Sequence, residues 1–361
     1  MSFASIRDQE VAVRFLRNII ARRRVPNGLL FWGPSGVGKH FTALETAKAI
    51  NCTSGTGDAC GVCLPCRKME HGTHPDLREF FPTKKSRIIP VETVNEINEL
   101  TAYRSHEGGY RVCIIHEMDR MMPPAQNHFL KTLEEPPSAT AFILLTEYPR
   151  RLLPTILSRC QQVRFGALKR STVTELLCAQ RDVPGPVAAA IAAISQGQMS
   201  RALDLVDTPK REEVLEAASQ LAQGRDPLVV SEDFVRKIRA ASEALMARTK
   251  AEMQQEVQPD LSREEREEQK EEMEALLARL VRQEVMEYLY LLKAWYRDEL
   301  VFAASGNADH VWNRDQAARM QERQVPQEPD KLAEIEKAWL YIERNLRVER
   351  VFRDLFFTLA V

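Results

Sequence analysis

The 361-residue sequence lacks any run approaching the roughly 20 apolar residues that a bilayer-spanning helix needs. Its opening, MSFASIRDQEVAVRFLRNII, carries charges through an amphipathic pattern and lacks an apolar core followed by a small-residue cleavage site, so no secretory signal is expected. Net charge is missing too: 50 Lys and Arg stand against 51 Asp and Glu, which excludes a global field drawing the chain onto nucleic acid or membrane. Any DNA contact must come from a local patch. No internal repeat and no prolonged low-complexity linker is present. A soluble, cytoplasmic protein of two or three domains is expected, with reduced cysteines serving as ligands or core residues.

What is present divides the chain in two. GLLFWGP (28–34), YRVCIIHEMD (110–119) and TAFILLTEYP (140–149) are short apolar runs closed by turn residues. Helical spacing follows the first of them in HFTALETAKAI and separates the other two in AQNHFLKTLEE. Strands alternating with helices predict a mostly parallel, helix-covered α/β sheet. From about Leu168 the strand-like runs stop and Ala, Leu, Glu, Arg and Gln take over, so the second half reads as all-α. A Pro/Gly turn opens a small helical unit in which Gly197 separates two short helices. A charged excursion of about residues 250–283 is expected to project before it docks. The expected domains are a nucleotide-binding core over 1–166, a helical lid over 167–208 and an oligomerising helical region over 209–361.

GPSGVGKH (33–40) has the spacing of a phosphate-binding loop between a predicted strand and helix. Gly33, Gly36 and Gly38 let backbone N–H groups curl around phosphates, and Lys39 supplies charge. The hydroxyl that would reach magnesium is replaced by His40. At the end of the third predicted element the magnesium carboxylate is replaced by His116, while the water-orienting carboxylate survives, vestigially, as Glu117. Imidazole is a poor partner for Mg2+, so the loop suits ATP or ADP while magnesium-assisted hydrolysis is doubtful. Two alternatives stand beside this: His40 and His116 hold a softer metal, or Asp119 supplies the missing carboxylate. Cys52, Cys60, Cys63 and Cys66 form a CX7CXXCXXC array in Gly-, Ser- and Asp-containing surroundings, which fits a structural Zn2+ knuckle, with an iron–sulfur cluster as the alternative. Cys113, Cys160 and Cys178 sit in apolar or helical context and read as core.

GLLFWGPSGVGK, the cysteine array, HPDL (74–77), AQNHFLKTLEEPPSATAFILLT and LPTILSRCQQVRF together resemble the AAA+ clamp-loader subunits of bacterial DNA polymerase III, over roughly residues 3–206. WYRDELVF near Trp295 looks, less specifically, like that family's collar. The resemblance implies an AAA+ core with a zinc knuckle, a lid and a collar. It also implies partners: motor subunits, the delta subunit, the sliding clamp and primer-template DNA, with no membrane. Two kinds of subunit share the architecture, an ATP-hydrolysing motor and the delta-prime stator. His40, His116, Ser200 in the column of the lid's sensing arginine (with Arg201 one place late), and the expected lack of a polymerase-binding tail all point to the stator. In the family, the arginine at Arg159 of the SRC stretch is presented to a neighbour's ATP; pairing with a local carboxylate is the alternative. Arg22, Arg23, Arg24, Lys84, Lys85, Arg87, Arg150 and Arg151 are candidate phosphate contacts. The rival readings are a motor that tolerates the two histidines and a stand-alone zinc-dependent nucleic-acid-binding module.

Overall fold

The computed structural model describes residues 2–82, 88–107, 109–254, 263–321 and 330–360. Lys84, Lys85 and Arg87 lie outside the described residues, as does 255–262 of the charged excursion. Among the described residues no helix is long and apolar enough to cross a membrane. The chain forms two compact units, Met1–Thr172 with Gln196–Ser200, and Val173–Ser195 with Arg201–Val361.

Five parallel strands organise the first unit: β1 (Gly28–Trp32), β2 (Leu77–Phe80), β3 (Arg111–Ile115), β4 (Thr140–Thr146) and β5 (Gln161–Arg164), in the order β2-β3-β4-β1-β5. Successive side chains on a strand point to opposite faces. Leu29, Phe31, Val112, Ile114, Ile143 and Leu145 accordingly join one buried cluster with residues of the helices Glu10–Ala21 and Lys39–Ile50. Leu30, Cys113, Ile115, Phe142 and Leu144 join a second, with residues of the helices Val91–Ala102, Pro123–Glu134 and Pro154–Arg159. Two apolar faces explain why β3 and β4 are buried along their whole length. The first unit is therefore an α/β core, a five-stranded parallel sheet with helices on both faces. Burial holds the Cys113 and Cys160 thiols up at about 12, as core cysteines should be.

The second unit is helical. Its aromatic centre brings Phe234 of the helix Pro227–Gln254 against Tyr288 of the helix Arg263–Ser305 and against Phe352 and Phe356 of the helix Val348–Leu359, at ring separations of 5.1 to 5.4 Å. The WYRDELVF stretch contributes Asp298, fully buried, whose carboxylate accepts from the backbone N–H groups of Trp312 and Asn313 at 2.7 to 2.9 Å. A charge so buried is stable only when its oxygens are occupied in this way.

The sheet core depends on its central aromatic pair. Phe142 meets Phe129 edge to face at 5.1 Å with no exposed surface on either. Phe142→Ala is expected to cost about 3–5 kcal/mol, read as a lowered urea midpoint with an unchanged slope.

Candidate functional site

Parallel α/β sheets place ligands beyond the carboxyl ends of their strands, and there the conspicuous sequence motifs converge. β1 runs into residues 33–38 and then into the helix Lys39–Ile50. Gly33 has φ +150° and so little space that a Cβ would lie 2.2 Å from the Phe165 carbonyl oxygen. Gly36, at φ +67°, approaches residues 196–200 as closely: its Cβ would lie 2.1 Å from Ser200 Oγ. Met199 N–H donates to the Gly36 carbonyl at 2.8 Å, and Leu168 N–H donates to that of Gly197 at 3.1 Å. The Lys39 ammonium is drawn back onto the loop, donating to the carbonyls of Gly33 at 2.8 Å and Pro34 at 2.5 Å. Burial lowers the Lys39 pKa, against the pull of the Glu147 and Asp119 carboxylates.

His40 and His116, which the sequence places where magnesium ligands are expected, meet on one carboxylate. His40 Nε2 lies 2.9 Å and His116 Nε2 2.7 Å from the same oxygen, Oε2 of Glu79. Glu79 is the third residue of β2, and pairing with β3 sets Glu79 opposite Ile114, two residues before His116. Hydrogen bonds from His116 and then His40 hold its carboxyl down at about 2 against the opposing effect of burial. The Phe81 ring stacks on His116 with centroids 4.1 Å apart. Mg2+ demands near-ideal octahedral oxygen coordination, and this donor set does not fit it. Asp119 is buried and already accepts from Thr146 Oγ1 at 2.6 Å. Glu117 takes the left-handed conformation at φ +45° and pairs with Arg120 at 3.4 Å.

Arg159 ends the helix Pro154–Arg159 at the surface, where its guanidinium pairs with Glu134 and donates to the Thr155 carbonyl at 3.0 Å. The neighbouring Cys160 is buried. Arg22, Arg23, Arg24, Arg150 and Arg151 are exposed, and Arg151 lies over the Tyr148 ring at 4.7 Å. In the second unit, Arg201 pairs with Glu287 at 2.9 Å and covers the Tyr290 ring at 4.2 Å.

Cys52, Cys60, Cys63 and Cys66 converge so that their sulfurs lie within 4.8 Å of one another. Cys63 and Cys66 come from the start of the helix Leu64–Glu70, while Cys52 follows the loop helix. The Sγ atoms of Cys52 and Cys63 are 3.9 Å apart, close to the edge of about 3.8 Å that tetrahedral metal–sulfur bonds of about 2.3 Å imply. Backbone N–H groups of Cys60 and Cys63 point at Cys52 Sγ (3.4 Å) and Cys60 Sγ (3.3 Å). Burial pushes the Cys63 thiol up, yet backbone N–H groups of Cys66 and Thr53 outweigh it and bring it down to about 6; burial drives Cys66 the other way. Four thiols with amide support fit a tetrahedral, thiolate-binding metal.

No sequence motif marks Glu79; its only local signal is a carboxylate two residues into the strand that begins at Leu77, the last residue of HPDL.

The contact of Gly36 with Ser200 generates a prediction. Gly36→Ala is expected to lose about 1–2 kcal/mol from the left-handed backbone alone. The crowding of Ser200 adds to that, and a double-mutant cycle with Ser200→Gly should recover only the crowding part.

Residues 8–169 match the family described as DNA polymerase III, delta subunit. The delta-prime subunit of Bacillus subtilis is 36% identical over 173 residues, covering 48% of this chain and 52% of that protein. The tau/gamma subunit of Haemophilus influenzae is 34% identical over 212 residues, covering 57% of this chain and 30% of that one. A gamma-subunit-related protein of Thermotoga maritima aligns over 96% of this chain and 98% of its own at 16% identity, a loose likeness with a TM-score of 0.44. The chain thus spans about half the length, or less, of these curated relatives. Residues 8–169 are thus similar in sequence to delta-prime and tau/gamma subunits of bacterial DNA polymerase III.

Proposed function

We propose that this chain is a delta-prime-like stator of a cytoplasmic clamp loader: it does not hydrolyse ATP itself and lends Arg159 to the ATP of an adjoining motor subunit. The observation that carries this reading is the His40–Glu79–His116 cluster, because it fills both magnesium-contacting positions with imidazole and ties them to one carboxylate. A loop so furnished retains glycines and Lys39 for phosphate. It lacks the oxygen anchors that would hold magnesium against β- and γ-phosphate oxygens. Gly33, Gly36, Gly38, Lys39 and His40 would form the cradle for ATP or ADP.

In the assembly, Arg159 would exchange Glu134 for phosphate oxygens. A guanidinium offers a planar fork that stabilises charge spreading over a transferring phosphoryl group, and lysine cannot reproduce that geometry. Its place at the end of a helix, anchored by buried Ile156 and Cys160 on either side, suits presentation across an interface. The core over 1–166, a lid over 167–208 and a collar over 209–361 would divide the work between positioning and oligomerisation. Partners on this reading are motor subunits, the delta subunit, the sliding clamp and primer-template DNA. Exposed Arg22, Arg23, Arg24, Arg150 and Arg151 are candidates for its phosphates. At the knuckle, Cys52, Cys60, Cys63 and Cys66 would hold Zn2+, which supplies rigidity and no chemistry.

Reconstituted loader tests the central role. Arg159→Ala and Arg159→Lys are each expected to lower DNA-stimulated ATP turnover by on the order of 10³-fold, while the purified chain alone turns over no ATP. Turnover by the isolated chain that vanishes in Lys39→Ala would establish the motor reading instead.

The knuckle is tested by chelation. Removing zinc, or replacing Cys60 with Ser, is expected to lower the melting temperature of the full chain and leave a metal content below one equivalent at this site. An unchanged melting temperature with no zinc bound would refute the zinc assignment.

A further inference from the structure

Glu79 lies 37 residues from His116 and 39 from His40, yet folding delivers all three side chains to one place. Their ligand atoms lie within 4.8 Å of one another. Each comes from a different element: the first turn of the helix Lys39–Ile50, the edge strand β2, and the residue that follows β3. The sheet itself sets two of them. His116 N–H donates to the Phe80 carbonyl at 2.9 Å, continuing the β2–β3 ladder one step beyond β3 and fixing His116 beside Glu79. The Phe81 ring, stacked within 19° of parallel, holds the plane of the imidazole.

We propose that His40, His116 and Glu79 bind a borderline divalent transition-metal ion, of the class of Zn2+, Co2+ and Ni2+, at a site separate from the four-cysteine knuckle.

Two imidazoles and one carboxylate are a donor set such ions favour, whereas Mg2+ and Ca2+ favour oxygen alone. Nitrogen and oxygen ligands about 2.0–2.1 Å from a tetrahedral ion stand about 3.3–3.4 Å apart. The two Nε2···Oε2 separations of 2.9 and 2.7 Å must therefore widen by only roughly half an ångström, by rotation of an exposed His40 and a half-buried carboxylate. Three protein ligands leave a fourth position for water. His40, exposed at the start of a helix, has room to adjust, and the Glu79 carboxylate can rotate, while sheet register holds the backbones of Glu79 and His116 side by side. The inference goes beyond the clamp-loader reading and does not depend on it, since it concerns donor chemistry and geometry alone.

The test uses the full chain with its knuckle zinc-loaded, titrated with Co2+. Wild-type protein is expected to take up one further equivalent, with visible d–d bands and no intense thiolate-to-cobalt charge-transfer band. His40→Ala, His116→Ala and Glu79→Gln should each weaken that uptake by about 100-fold or more, beyond the 10- to 100-fold typical of supporting residues. Cys60→Ser should leave the sulfur-free d–d bands in place. His40→Ala, at an exposed position, keeps the test informative if a substitution at His116 disturbs folding. Failure of the wild type to bind Co2+ outside the knuckle, or equal uptake by His40→Ala, would overturn the proposal, leaving a hydrogen-bonded His–Glu–His cluster.

Discussion

One carboxylate shared between two imidazoles is the interaction on which the account turns. A phosphate loop becomes a hydrolytic site only when a hydroxyl and an aspartate hold magnesium against the phosphates. Here both positions carry histidine, and both histidines close on Oε2 of Glu79. That carboxylate is an acceptor already claimed from two sides. The loop beside it keeps the features that need only backbone geometry, glycines at positive φ and a lysine at the helix start, while the features that need hard-cation chemistry are gone. On the proposed reading, phosphate binding and phosphoryl transfer are separated within one scaffold.

The surroundings are built consistently with that separation. Asp119, the alternative carboxylate for magnesium, has a buried side chain that accepts from Thr146 at the end of β4. Ser200 stands over Gly36, where the family resemblance led one to expect a sensing arginine, and Arg201 pairs with Glu287 and Tyr290 in the helical unit. Arg159 presents its guanidinium at the surface, paired with Glu134. The alternative weighed from the sequence, that Arg159 merely pairs locally, and its proposed role toward a neighbour are compatible: an exposed ion pair contributes little stability and is readily exchanged for a stronger anion.

Much of the fold was legible because its physics is local. β1, β3 and β4 are apolar runs flanked by turn residues, and they are the three central strands of the sheet, covered on both faces. β2 and β5 escaped notice for the converse reason: LREF and QQVR are edge strands with a single fully buried residue each, so no apolar run marks them. The convergence of Cys52, Cys60, Cys63 and Cys66 was readable from their close spacing within 15 residues. Glu79 was not readable, because its role arises from strand register across β2 and β3 and has no counterpart in spacing. Its place beside His116 follows only once β2 is known to be a strand.

The proposed function requires nucleotide binding to be independent of magnesium, because both oxygen anchors are replaced by histidine. Calorimetric titration of the purified chain with ATP, with and without Mg2+, measures it. The account predicts the same affinity in both conditions. Tightening by tenfold or more on adding Mg2+ would mean that the ion finds productive coordination here, and would contradict it.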